Sequence, residues 1–352
     1  MRDYKILIHA DAYEKARRYL AELGAEYRPG GHLSRYLNDQ DLSSLSTETF
    51  IELLLRTKRP QIFAEGEVCG DGSDWNLREL SILGDIGIAA LATAFDDGRH
   101  AQPRIHDSPF EATLLFTPGA LLRNGTGNTP ADWDEATREG TLDREGYYRL
   151  YERRMLPLFR YAHDSALRNG NRAFITIPGI GCGQFAGEFA GRLGGELKGV
   201  LKKLIEDHGR DLSGIRGVYF DPYRECDNER HEIHDIRFLV RPLTRGNAGK
   251  SQLCEPDRYE EPGDDFSDCE LFSFVAWDHV SWPGNDFYIG SRATDDGVKA
   301  AATSVMATMT GVEGVYDPGA FRYQPPFGYR NWAAVVSGHN LRIEVHDRLI
   351  LY

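Results

Sequence analysis

Between residues 173 and 220 the chain reads as strand, glycine-rich loop, helix and strand. Residues 173–177 are a short apolar run. They enter Pro178-Gly179-Ile180-Gly181-Cys182-Gly183-Gln184-Phe185-Ala186-Gly187, a helical stretch follows to about His208, and residues 217–220 form the next strand. Two strands joined through a helix make a βαβ unit, which implies parallel strands with helices against the sheet. The pattern places the chain in the α/β class. Glycines let the backbone approach a ligand closely, and the N–H groups and the helix dipole stabilise negative charge. The loop is no Walker loop, since no Gly-Lys-Ser/Thr follows, and it lacks the GxGxxG dinucleotide pattern. A structural turn is the competing reading.

The chemistry concentrates further along. Residues 271–276 are a Phe- and Val-rich strand, the loop beyond holds Asp278, Asp286, Asp295 and Asp296, and an Ala-rich helix runs from there to near Gly311. Val298, Ala301, Ala302, Val305, Met306 and Met309 have helical spacing. Asp295 or Asp296 alone could be a helix cap, because carboxylates suit a helix N-terminus. Calcium binding is open in principle, but the EF-hand spacing is missing. Packing explains four acids in one loop poorly, and loops at strand ends facing a helix N-terminus are where open α/β sheets bind ligands. Carboxylates there suit hydrogen bonding to ribose hydroxyls and acid/base work on a glycosidic bond. They also suit pairing with a guanidinium.

Charge and composition narrow the partners. A net charge of −13 excludes a nucleic-acid backbone as a natural partner. Five scattered cysteines without a CxxC pair favour reduced thiols over disulfides or zinc. No metal-ligand spacing is found among His100, His106, His231 and His234. No apolar run approaches the length of a membrane span, and the first residues lack a signal-peptide core. The expectation is a soluble protein, cytoplasmic or delivered into a host cell.

Along the rest of the chain, residues 4–9 read as a strand, and 12–24, 46–57 and 76–85 as helices. Residues 1–105 are therefore expected to form a mainly helical N-terminal extension without an active-site pattern, and 106–352 the catalytic domain. Residues 86–95 read as strand or buried helix and 110–116 as a strand. Residues 144–169 read as a long helix that Pro157 should kink or break. The segment 231–242 is strand-like, 247–268 reads as a polar surface insertion, and 332–336 and 341–351 as terminal strands. Tyr223 is a candidate for stacking on a base or ribose, while Tyr219 and Phe220 are as well explained by the core. Cys182 reads as a small filler, and Trp277, Trp282 and Phe287 as cleft wall or core.

The segments AWDHVSWPGNDF and RATDDGVKAAA resemble the catalytic region of the arginine-specific ADP-ribosylhydrolase macrodomains of the MavL-like class. That class carries three functional aspartates there. Asp278, Asp286 and Asp296 match at spacings of eight and ten residues. PGIGCGQFAG resembles the macrodomain phosphate loop, and FEATLLFTPGALL matches more loosely, so the resemblance spans about residue 110 to the C-terminus. It implies a three-layer macrodomain-like mixed sheet flanked by helices. It implies removal of mono-ADP-ribose from arginine side chains of modified proteins, ubiquitin among them, without a metal or cofactor. Asp278, Asp286 and Asp296 would be catalytic. Gly179, Ile180, Gly181, Cys182, Gly183, Gln184, Phe185, Asn285, Asp295 and Tyr223 would contact the ADP-ribose. In ordinary macrodomains the catalytic loop precedes the phosphate loop, whereas here it follows, so a rearranged strand order is expected. The paired-glutamate motif of polymer-cleaving glycohydrolases is absent. The alternatives are an ADP-ribose reader without catalysis and a hydrolase of another linkage, ester or O-acetyl.

Overall fold

The computed structural model describes residues 2–24, 27–38 and 40–352. The anticipated crossover is present: strands Arg172–Pro178 and Ile215–Asp221 pair in parallel, joined through helix Leu193–His208. Both belong to a nine-stranded mixed sheet. In spatial order its strands are Leu349–Leu351, Tyr4–Ile8, Ile86–Asp96, Ile105–Pro118, Cys269–Trp277, Arg172–Pro178, Ile215–Asp221, Ile236–Val240 and Glu229–Ile233. From Ile105–Pro118 to Ile236–Val240 all neighbours are parallel. The strand leading into the acidic loop, Cys269–Trp277, is thus inserted between Ile105–Pro118 and Arg172–Pro178. This order brings two loops distant in sequence to neighbouring strand ends.

Strand residues alternate between two cores. Tyr4, Ile6 and Ile8 join one, Leu7 the other; Leu114 and Phe116 oppose Leu115 in the same way. Helices Arg144–Arg168 and Leu193–His208 cover one face. Helices Ala10–Glu22, Thr47–Arg56, Leu77–Gly84, Asp295–Ala302 and Val305–Thr310 cover the other. The result is a three-layer α/β architecture.

Several expectations change. The boundary placed at 105/106 falls at the start of strand Ile105–Pro118, and one sheet runs through it. The first hundred residues are mainly helical, yet they supply strands Tyr4–Ile8 and Ile86–Asp96. Helix Arg144–Arg168 runs unbroken through Pro157, where Leu156, Leu158 and Phe159 are buried against the sheet. Residues 332–336 are not a strand but the start of helix Trp332–Gly338, because Trp332, Val335 and Val336 bury at helical spacing and Asn331 caps the Ala334 amide. The segment 247–268 is no surface insertion: Leu253, Cys254, Tyr259 and Phe266 are buried, and Tyr259 stacks on Phe174 at 4.8 Å.

A buried ionic cluster ties these layers together. Arg154 is 1% exposed. Its Nη2 and Nη1 donate to Asp132 Oδ1 and Oδ2 at 2.6 and 2.9 Å, its Nε to Asp85 at 3.1 Å, and Nη1 also to the Gly119 carbonyl at 2.9 Å. Asp132 accepts from the Leu121 amide at 2.7 Å and faces His279 Nε2 at 3.2 Å. Burial alone would raise both acids. Instead Lys15, Arg153 and Arg154 hold Asp85, and Arg154 and His279 hold Asp132, well below the usual carboxylate range.

Two outcomes follow. Residues 106–352 produced alone should show no cooperative urea transition, since two strands of the sheet are missing; a cooperative transition would support an independent catalytic domain. Asp132→Ala leaves Arg154 half-paired in the interior and should lower the unfolding free energy by about 3–5 kcal/mol in urea titration.

Candidate active site

The carboxyl ends of the parallel strands open into a cleft of about 1180 Å³. A smaller compartment of about 430 Å³ adjoins it, and the two share Gly179, Gly183, Gln184, Ala276 and Asp295 as lining. The glycine loop and the acidic loop thus face one space, as neighbouring ends of strands Arg172–Pro178 and Cys269–Trp277.

The glycine loop is shaped by close packing. Gly181 has φ +75°, and a Cβ there would lie 2.5 Å from the Tyr151 hydroxyl. A Cβ on Gly119 would meet Gly181 at 2.5 Å. Tyr151 holds the turn, donating to the Ile180 carbonyl at 2.8 Å and accepting from the Ala120 amide at 3.1 Å. The amides of Gly181 and Gly183 find no acceptor among the described residues. They are free for an anion. Arg123, exposed, donates to Gln184 Oε1 at 2.8 Å and brings a cation to the rim. Ile180 is fully buried and offers only backbone. Burial pushes the Cys182 thiol well up, so it is no nucleophile. Phe185 lines the smaller compartment.

The acids divide by their partners. Asp278 is buried and saturated: Oδ1 accepts from the Val280 and Ser281 amides at 2.7 and 3.2 Å, Oδ2 from the Ala64 amide at 2.9 Å. Burial raises its pKa against these hydrogen bonds. Asp286 accepts from the Ala293 and Thr294 amides at 2.9 and 3.3 Å and from the Thr294 hydroxyl. A Cβ on Gly297 would lie 2.0 Å from its Oδ1, so only glycine fits there. Asp295 accepts from the Ala276 amide at 2.8 Å and pairs with buried Lys299 at 3.2 Å. Asp296 is different. It is 2% exposed, its Oδ1 accepts from the Gly284 amide at 2.6 Å, and its Oδ2 has no partner among the described residues. Burial first, then Asp286, Asp295 and Asp278, raise its pKa well above the usual range.

Asn285 lines the smaller compartment. Its side-chain amide clasps the backbone of Ile62, accepting from N–H at 3.1 Å and donating to C=O at 3.0 Å. That contact exposes what the sequence reading missed. Residues 58–67 dock along the acidic loop: Arg59 and Trp282 exchange backbone bonds with Val280 and Arg59, and the Lys58 ammonium donates to the Asp278 and His279 carbonyls over the Trp277 ring. Burial pushes Lys58 down to about 7. Phe63 and Glu65 consequently line the smaller compartment. No spacing rule marks these residues, because their partners lie more than two hundred positions away.

At the far end of the cleft Tyr223 is 58% exposed and held at φ +60°, its backbone fixed by Asp221 and Thr244. Tyr219 and Phe220 are core. Gln252, another residue absent from the sequence reading, is 6% exposed with both amide atoms unpartnered and lines this end. Trp277 lines the smaller compartment, while Trp282 and Phe287 are core. Among the described residues no group of three or more His, Cys, Asp or Glu is placed to hold a metal ion, and no helix is long and apolar enough to cross a membrane.

A family model described as "Macrodomain effector MavL" matches residues 4–329. No curated protein matches the chain. The match includes the first hundred residues, in accord with their place in the sheet.

The raised pKa of Asp296 has a testable sign. The folded state binds its proton more tightly than the unfolded state, so stability falls as pH rises from about 4 toward the folded value. Asp296→Asn keeps the Gly284 contact and cannot ionise. Its thermal midpoint should match wild type near pH 4 and exceed it at pH 8; an unchanged difference across that range would contradict a raised pKa at Asp296.

Proposed function

The chain belongs to the MavL macrodomain-effector family, and from that membership we propose that it removes mono-ADP-ribose from arginine side chains of modified proteins, without a metal. Macrodomain membership carries ADP-ribose binding; the arginine linkage is the further step. The observation that carries it is the buried Asp296 carboxyl, whose Oδ2 has no partner among the described residues, in an acid-lined compartment continuous with an open amide cradle.

In this reading the diphosphate lies against the Gly179–Gly187 loop with Arg123 at its rim, and the base end lies toward Tyr223 and Gln252. The distal ribose then reaches the acidic loop. The C1″–N bond breaks with its electron pair passing to the guanidine nitrogen, and Asp296 gives that nitrogen its proton. Water adds its oxygen to C1″, and its proton passes to Asp295, which Lys299 orients. General acid–base assistance of this kind is worth roughly 10²–10⁴-fold. Asp278 and Asp286 act as positioning residues: their carboxylates organise the loop that presents Asp295 and Asp296.

Release of ADP-ribose from arginine-, serine- and glutamate-modified proteins, with chelator present, tests the reading. Arginine-linked substrate alone should be cleaved, and Asp296→Asn should slow it by roughly 100-fold or more. Tight calorimetric binding of ADP-ribose without release would leave a reader, and release from glutamate alone would point to ester linkages.

A further inference from the structure

The larger part of the cleft is lined by Arg99, Arg123 and Arg224 beside Asp221, Glu225 and the shared Asp295, whereas the smaller compartment has Glu65, Asp278, Asp295 and Asp296 and no Lys or Arg among its lining residues. Aromatic faces complete the smaller compartment, from Phe63, Phe185 and Trp277. Acids and aromatic faces together form a receptor for a planar cation. Two carboxyl oxygens there, Glu65 Oε2 and Asp296 Oδ2, have no hydrogen-bond partner among the described residues, and Asp296 is 2% exposed. Buried polar atoms left unpaired cost free energy, and a polar group entering the compartment would satisfy both.

Glu65 differs from the aspartates in origin and support. Its backbone is clamped from both sides. On one side the Ala64 amide donates to Asp278 and Asn285 clasps Ile62. On the other the Gly125 amide donates to the Glu65 carbonyl at 2.7 Å, and Asn124 holds Val68 at 3.1 Å. The carboxyl group itself makes no ion pair among the described residues. Burial and nearby Asp278 raise its pKa, with Arg123 opposing.

We propose that Glu65, presented by the docked segment 62–67, receives the guanidinium of the arginine being released and thereby selects arginine linkages. This rests on the hydrolase reading above. It assigns leaving-group recognition to a residue outside the acidic loop that lines the same compartment as Asp295 and Asp296. Asp296 then attends to the scissile nitrogen while Glu65 holds the remaining N–H groups.

The probe is agmatine, a guanidinium without the protein, used as an inhibitor of release and as a titrant of the ADP-ribose-bound protein. Wild type should bind agmatine when ADP-ribose is present. Glu65→Gln should keep its ADP-ribose affinity and thermal midpoint, weaken agmatine inhibition, and lose roughly tenfold or more in kcat/KM on arginine-linked substrate. Wild type that binds ADP-ribose and cleaves arginine linkages but takes no agmatine would overturn the assignment, with no variant needed. So would a Glu65→Gln protein cleaving and inhibited like wild type. Failure of wild type to bind ADP-ribose would sink the underlying reading instead.

Discussion

A buried guanidinium, that of Arg154, decides where the functional loops stand. Taking such a charge out of water costs several kcal/mol unless paired and hydrogen-bonded. Here every contact that satisfies it belongs to a different part of the chain: Asp85 at the end of helix Leu77–Gly84, Asp132 in the loop after strand Ile105–Pro118, and the Gly119 carbonyl. Asp132 passes the constraint on to Leu121, beside the glycine loop, and to His279, next to Asp278. A Cβ on Gly84 would lie 2.6 Å from both Arg154 and His279, so the chain has reserved space for the cluster. The interaction is weak evidence for stability as such. Its consequence is registry: glycine loop, acidic loop and N-terminal helices are fixed against one another by a group whose hydrogen-bond directions are planar and fixed.

The sequence made the βαβ unit legible because its signals are local. An apolar run, glycines and a helical period need no information from elsewhere, and the same holds for the strand–acid loop–helix stretch. What was not legible depended on long-range pairing. Strand Tyr4–Ile8 is legible as a strand, but its place in the sheet between Ile86–Asp96 and Leu349–Leu351 has no local signal. The segment 247–268 looked like surface because it is acidic, yet its few apolar residues, Leu253, Tyr259 and Phe266, all turn inward. Residues 332–336 were misread because a short apolar run fits either period until the side chains are seen to bury at 332, 335 and 336.

The candidate site shows the same division. Its acidic wall lies within one stretch of sequence, so the clustering of Asp278, Asp286, Asp295 and Asp296 could be read directly. The segment carrying Phe63 and Glu65 could not, because its placement depends on Asn285 and Asp278 binding Ile62 and Ala64. Asp278 and Asn285, expected to meet a ligand, line the smaller compartment and hold this segment as well. The family-model match from residue 4 agrees with this: the N-terminal portion is part of the working unit rather than an appendage.

Equal spacing within a motif does not imply equal work. Asp278 and Asp286 accept several hydrogen bonds each from the loop and its neighbours. Asp296 accepts one and leaves the other oxygen without a partner among the described residues, and burial with three nearby acids raises its pKa. Such a contrast between environments is how otherwise similar carboxyl groups take acid and structural roles. The unpaired oxygen is costly for the folded protein, and packing alone gives no reason to keep it. In the proposed reading a bound ligand gives one, with its diphosphate against the glycine loop and its guanidinium among the acids.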